Sequence, residues 1–384
     1  MSDPVSTKGS NPAQLTFRGG GWILLLAAVL VVLLLLWSLL GPMLGHRPTG
    51  DGRTLESYRF DLTTLLIPRE TLRPSGNPRG FLPSLDAPAH LRGAEMTIYN
   101  EQNRPKYVVT SDRVLGIVIA GQAHAWPLSM LNVHEVVNDT VAGVPVAATY
   151  SPLCDTAIVF DRVLDGQARN FEVSGLLVDS NLVFYDKAPT QDAAREQSAG
   201  SPAAEHVPSL FLQLERRAVA GPLAAKHVTL NVLPGACITT WADWLAAHPD
   251  TTVTLRDPQT IRRMKEISYA RYFLTPTLEF PAEPLPGADV IAATGLRLKS
   301  PMVAFELGTG WRMASLESLT AKAAGAPELE WTSDGVALRA TLPAGLGVVR
   351  LERADGVPMR SIPCLYFAAE AVVRPFQPIT LVQP

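Results

Sequence analysis

Hydrophobic and polar positions divide this chain into three unequal parts. The first is an apolar run from Trp22 to Leu40 that no charged residue interrupts. At ~1.5 Å rise per residue, such a run spans roughly the ~30 Å hydrocarbon core of a bilayer. Trp22 and Trp37 suit the two interfaces, where an aromatic ring is half wet. The run is too long for the core of a signal peptide, and no A-x-A cleavage signal follows it. The pattern predicts an uncleaved, single-pass signal anchor over residues 19–41, behind a polar tail of residues 1–18. Lys8 and Arg18 precede the span and Arg47, Arg53 and Arg59 follow it, so flanking charge hardly orients it. The short tail favours the cytoplasmic side, with the bulk of the chain outside a bacterial cytoplasmic (inner) membrane.

Residues 42–94 form the second part. Prolines recur at 42, 48, 68, 74, 78, 83 and 88, and apolar positions show little period. This predicts an extended, Pro-rich spacer, with Tyr58 to Ile67 able to pack on the domain it carries.

From Glu95 onward, short apolar runs alternate with turn residues. Strands are predicted at 96–99, 107–110, 114–120 and 122–126, with a hairpin turn at Gly121-Gln122. A short helix or connector over 128–137 follows, then strands at 144–149, 157–160, 171–173 and 182–185. Residues 187–206, rich in Ala, Gln, Ser and Pro, read as a surface insertion. Thr240 to His248 reads as a helix, with Thr239 or Thr240 as N-cap and Pro249 beyond its end. Further strands are predicted at 290–293, 301–305, 335–341 and 347–352, and helices at 315–324 and 365–373. The fold class expected is α+β and β-dominated, with short antiparallel strands and a few helices behind one N-terminal transmembrane helix. The expected organisation is a core domain, 95–256, and a C-terminal β-rich subdomain, 257–384, that loosely echoes it.

Composition narrows the function classes. The net charge is -3 and no Lys/Arg run occurs, so nucleic acid is not an expected partner. The expected partners are the lipid bilayer, through residues 19–41, and a membrane protein. The 32 prolines and 28 glycines fit many turns and short strands. Three cysteines without a C-x-x-C exclude a zinc ribbon and a thioredoxin-type dithiol. Two arrangements stay open: a Cys237–Cys364 disulfide with Cys154 free, or three separate buried thiols.

One group of motifs fills the central third. Trp126-Pro127-Leu128 leads to His134-Glu135-Val136-Val137-Asn138-Asp139, and Val144-Pro145-Val146 leads to Tyr150-Ser151-Pro152-Leu153-Cys154. Val159-Phe160-Asp161-Arg162, Val173-Ser174-Gly175-Leu176-Leu177, Ser180-Asn181-Leu182-Val183, Ala220-Gly221-Pro222-Leu223 and Thr240-Trp241 through Thr251 follow in order. From about Val114 to Val253 the chain resembles the domain of unknown function 3179 family. The resemblance implies a fold unit and candidate positions, because the family carries no established activity. The family commonly reads Y-C-P-L-C, and here Ser151 replaces the first cysteine. It commonly reads S-L-W-S-Q, and here the run is Ser209-Leu210-Phe211-Leu212-Gln213. Two-thiol redox chemistry and a two-thiolate metal site are both impaired by Ser151.

Cys154 is the first chemical candidate, since Pro152 makes a rigid turn expected to display the thiol at the mouth of a sheet. A thiolate there would be a soft metal ligand or a nucleophile. The bland alternative is a small buried hydrophobe. His134 is the second candidate, as metal ligand or as base toward Cys154. Its alternative is a histidine bonded to backbone. Glu135 points elsewhere on any regular element, and the run is not H-E-x-x-H. Asp155, Thr156, Ser174, Ser180, Asn181 and Gln213 are the candidate substrate-binding residues, although turns explain several of them equally well. Trp241 and Trp244 read as core, and His206, His227 and His248 as surface.

Three functions are compatible with these positions. One is a membrane-anchored, extracytoplasmic domain handling a transition metal, copper by the softness of the thiol, or doing thiol-linked chemistry, at Cys154 and His134. Another is a non-catalytic, membrane-tethered binding or assembly module. A third is a hydrolase with Cys154 as nucleophile and His134 as base.

Overall fold

Three consecutive strands, Val136–Val141, Val144–Ser151 and Thr156–Asp161, make the middle layer of the fold. Their side chains alternate between two cores, as the period of two in a strand requires. Val136, Ala147, Ile158 and Phe160 enter one core, while Val137, Val146, Ala148, Ala157 and Val159 enter the other. A sheet covered on both faces reads as near-continuous apolar sequence, which is the pattern seen from Val144 to Phe160. Together with the short edge strand Leu85–Asp86, which runs parallel to Val136–Val141, they form sheet B.

The computed structural model describes residues 21–43, 49–188, 206–260, 269–342, 350–373 and 379–382. Two compact units are present, Met1–Pro48 and Thr49–Pro384. In the first, a helix runs from Gly21 to Met43. Its side chains are described over 22–37, where all are exposed. Among the described residues no helix is long and apolar enough to cross a membrane. The expected tail, 1–18, lies outside the described residues.

Sheet A faces one side of sheet B. Its strands run in the spatial order Leu72–Pro74, Phe171–Val178, Asn181–Asp186, Leu210–Leu212 and Arg217–Ala220, all antiparallel. Its rings pack densely, with Phe184 stacked on Phe211 and Phe171 edge-on to both. Sheet C lies against the other side of sheet B, in the order Cys237–Thr240, Arg113–Ile119, Gln122–Pro127, Thr252–Thr254 and His90–Arg92. Thr252–Thr254 runs parallel to its neighbour Gln122–Pro127; the other pairings are antiparallel. The C-terminal region adds a four-stranded sheet around Pro301–Leu307 and a three-stranded sheet around Val336–Thr341, with a core of their own. The fold is thus a β-rich α+β arrangement of several sheets and few helices.

Several expectations need correction. The segment read as a spacer is folded from Thr49 onward. Tyr58 is fully buried, and Leu72–Pro74, Leu85–Asp86 and His90–Arg92 each add a strand to a different sheet. Its prolines fit because the strands are short and stand at sheet edges. Met96–Tyr99 is no strand but the start of a helix, Met96–Gln102, in which Met96 and Asn100 are buried and Ile98 is 56% exposed. The β-prone Thr-Ile-Tyr run disguised an i, i+4 burial pattern. Residues 107–110 form no strand, although Tyr107 and Val108 are buried. Residues 288–294 form a helix closed by left-handed Gly295, not the strand expected at 290–293. Most of the insertion read at 187–206 falls outside the described residues.

Other expectations match. The hairpin is present, with its turn at Ala120 and Gly121, both at positive φ, one residue before the expected Gly121-Gln122. Helix Trp241–Ala247 carries Thr240 as its N-cap, whose hydroxyl accepts from the Asp243 amide. Trp241 and Trp244 are buried in the core beneath it. Trp244 lies flat on Gly116, where an added Cβ would come within 2.5 Å of the ring, so that strand position takes only glycine.

Candidate metal centre and buried polar network

The residues singled out around Cys154 do come together, but as an interior. The turn Pro152–Cys154 follows Ser151, and left-handed Asp155 closes it. Cys154 is 0% exposed, and its thiol donates to the Ser180 carbonyl at 3.3 Å. Burial drives its pKa far above the usual thiol range, against the weaker pull of Ser151 and Asn181. The displayed thiol expected from Pro152 is therefore not found: the turn folds the sulfur inward. Cys237 and Cys364 are buried and free as well, so of the two arrangements left open it is three separate buried thiols, and not the Cys237–Cys364 disulfide, that the structure holds. Burial pushes these thiols up to about 11 and about 12.

The candidate substrate-binding residues bond to one another and to backbone, and Gln213 joins sheet A to sheet B. Asn181 donates to Gln213 Oε1 at 2.9 Å and accepts from the Leu214 amide at 3.0 Å. Gln213 donates across the layer to Thr149 Oγ1 at 2.9 Å and to the Thr156 carbonyl. Ser174 donates to the Val183 carbonyl, Ser180 to the Phe280 carbonyl, and Thr156 to the Cys154 carbonyl. Asn138 works the same way, bonding Phe171 through both its amide nitrogen and its amide oxygen. Buried polar groups need such partners, and fully satisfied networks fix one packing of two layers. Asp155 is held elsewhere, by Arg113 at 2.9 Å and the Tyr150 hydroxyl at 2.8 Å.

His134 and Glu135 end the helix Leu128–His134. His134 is buried, with Nδ1 at 2.7 Å from the Pro83 carbonyl. Glu135 occupies the left-handed cap at φ 54°, a position glycine usually fills. Its amide closes the helix on the Leu131 carbonyl, and its side chain enters a separate cleft. The bland reading of His134, a backbone-bonded histidine, describes its Nδ1 contact.

A different cluster lies between sheets B and C. His90, His124 and Asp139 each turn one potential ligand atom to a common point, all within 4.8 Å of one another. The strand alternation sets this up. Val137, Asp139 and Val141 share one face of Val136–Val141, and the two valines enter the core against sheet C. Asp139 is thus a carboxylate at a core-phase position. Across from it, His124 and Trp126 share a face of Gln122–Pro127, and His90 sits opposite Thr254 on the edge strand.

The hydrogen bonds are dense. Asp139 Oδ1 meets His90 Nε2 at 2.8 Å, and Oδ2 accepts from Trp126 Nε1 at 2.9 Å and from Thr254 Oγ1 at 3.3 Å. His124 Nε2 lies 3.5 Å from Oδ2 and 2.8 Å from Thr254 Oγ1, while Nδ1 meets Thr252 Oγ1 at 2.7 Å. The His90 and His124 rings pack at 4.4 Å between centroids, tilted by 47°. His124 and Asp139 are buried, whereas the His90 side chain keeps 27% of its surface exposed. Burial works to raise Asp139, but the two imidazoles outweigh it and hold the carboxyl below the usual carboxylate range. Burial lowers His124, which favours the neutral, ligand-competent imidazole.

A family model described as a protein of unknown function (DUF3179) matches residues 79–201. Residues 79–201 thus carry a DUF3179 match. The DUF3179 match begins earlier than the motif resemblance does, at residue 79, and so takes in His90, His124 and Asp139 together. No curated protein and no solved structure matches the chain. His90 and His124 were not singled out in the sequence because they have no ligand-like spacing. The available signal was Asp139, a charge in phase with two buried valines.

Proposed function

We propose that this chain is a membrane-tethered, extracytoplasmic module that holds a divalent transition metal at His90, His124 and Asp139. The observation that carries the reading is the convergence of two imidazoles and a carboxylate within 4.8 Å, one of them reachable from solvent. Two nitrogens and one oxygen suit zinc, copper(II) or iron(II), and the absence of sulfur from the set moves the choice away from copper(I). The surroundings fit ligands: Thr252 orients His124 through its other ring nitrogen, and the Trp126 indole fixes the carboxylate. A metal would replace the His90–Asp139 contact and draw both Nε2 atoms and one carboxylate oxygen to itself. In this reading the tether is the uncharged run within residues 19–41.

The test is metal binding by the full chain in detergent, followed by calorimetry and elemental analysis with zinc, copper(II) and iron(II). One equivalent is expected for wild type and for Cys154→Ser, and loss for His90→Ala, whose site is a half-open edge. Full binding by His90→Ala, or no binding of any of the three ions by wild type, would remove the reading.

A non-catalytic binding or assembly module is the second reading. It is favoured by the buried, high-pKa Cys154 and by the internal pairing of Asn181 and Gln213, which leaves these positions no reactive group to offer. In that case Cys154→Ala and His90→Ala both retain function in cells.

A further inference from the structure

A second site lies on the other side of sheet B, where Glu135 enters a cleft of about 210 Å³. This is smaller than the roughly 300–1,000 Å³ typical of drug-sized ligands. Its walls come from the arm before residue 83, the Ser151–Leu153 turn, the strand Phe171–Val178 and the segment 269–280. That strand carries a bulge between Val173 and Leu176, a device that bends a strand and re-aims its side chains near functional sites.

The chemistry of the lining is one-sided. Most of the wall is apolar, with Phe81, Tyr269 and Phe280 as aromatic faces. The carboxylic side chains are Glu135, half-buried, and Glu279, exposed; among the described residues no Lys, Arg or His lines the cleft. Among the described residues, Glu135 has no cation to neutralise it. Burial alone sets its acidity, which rises to about 8. A carboxylate among apolar walls and rings, with no cation beside it among the described residues, is complementary to a positive head on an apolar body.

We propose that this cleft binds a small organic ammonium ion, with its charged head at Glu135 and its apolar body against Phe81, Tyr269 and Phe280. The left-handed cap supports the assignment: a glutamate that lines the cavity stands where glycine is the unstrained choice. The site is independent of the metal centre, which faces sheet C.

The experiment is calorimetry on the full chain in detergent at pH 8.5 with benzyltrimethylammonium, benzyl alcohol and benzoate, which share a ring and differ in charge. The cation is expected to bind at least roughly tenfold more tightly than the alcohol, and benzoate not to bind. Glu135→Gln should abolish the cation's advantage while leaving alcohol binding unchanged, and Glu279→Gln should weaken the cation by a smaller factor. A thermal melt of each variant confirms that the fold is retained. Glycerophosphocholine is the fourth probe: competition with the cation assigns the ammonium to a lipid headgroup, and its failure assigns it to a free amine. Equal binding of cation and alcohol, an undiminished cation in Glu135→Gln, or no binding of the cation overturns the proposal.

Discussion

At Cys154 the decisive quantity is solvent access. A thiol that donates to a carbonyl in a dry interior is neither thiolate nor nucleophile at neutral pH. The three cysteines should therefore resist a thiol reagent such as Ellman's in the folded chain, and all three should react once guanidinium unfolds it. Rapid labelling of Cys154 in the native state would restore the displayed-thiol reading. Gly175 presents the opposite case, a residue chosen for what it lacks. It sits at φ 79°, and an added Cβ would come within 2.8 Å of the Asn77 carbonyl and 2.7 Å of the Tyr58 ring. Gly175→Ala should lower stability by about 1–3 kcal/mol, read from the midpoint of urea unfolding. An unchanged midpoint would mean that the arm around Asn77 yields freely.

Among the elements, legibility followed burial. The strands of sheet B were readable because continuous apolar runs bounded by turns have few other uses. Helix Trp241–Ala247 was readable from its cap and its terminal proline. Met96–Gln102 was not, because seven residues hold too little helical period to outweigh three β-prone side chains. The edge strands Leu72–Pro74 and Leu85–Asp86 were hidden for another reason. Strands this short carry no period at all, and their place is decided by the partner that awaits them. The candidate site failed in a similar way. Its three ligand atoms come from three strands of two sheets, and only the pairing of Thr254 with His90, and of Thr252 with His124, brings the rings together. At this scale Trp126→Phe is informative. It removes one donor to Asp139 Oδ2 while preserving an aromatic body. The loss should be about 1–3 kcal/mol in stability, and metal affinity should fall as well if the indole orients the ligand.

For the whole molecule, acidity and chain boundaries give separate expectations. Glu135 is raised in the folded state from 4.5 to about 8. Between those values the folded chain holds a proton that the unfolded chain has released, so stability falls as pH rises. The contribution is intact below about 4.5 and is lost as pH passes about 8. Melting temperatures of wild type and Glu135→Gln should therefore converge in acid and diverge toward pH 8, the wild type falling more steeply. Parallel curves would show that the carboxyl is ordinary. Truncation tests the other point. Removing residues 1–48 leaves the unit Thr49–Pro384 whole. Removing residues 1–94 deletes one strand from each of three sheets and the buried Tyr58. The first truncation should show a cooperative melt, and the second should be insoluble or lack one.

The arm between Thr49 and Arg92 has a further consequence, in time rather than in space. Leu72–Pro74 waits for residues 176–178, and His90–Arg92 waits for residues 252–254. Contacts this distant in sequence form slowly, since a long loop must close before they reward it. As the polypeptide is synthesised, the arm is made early and stays without neighbours until most of the following chain has emerged. Throughout that interval its strand edges are open to any other extended peptide nearby, so holding them apart from one another is a task the cell must perform before the protein can.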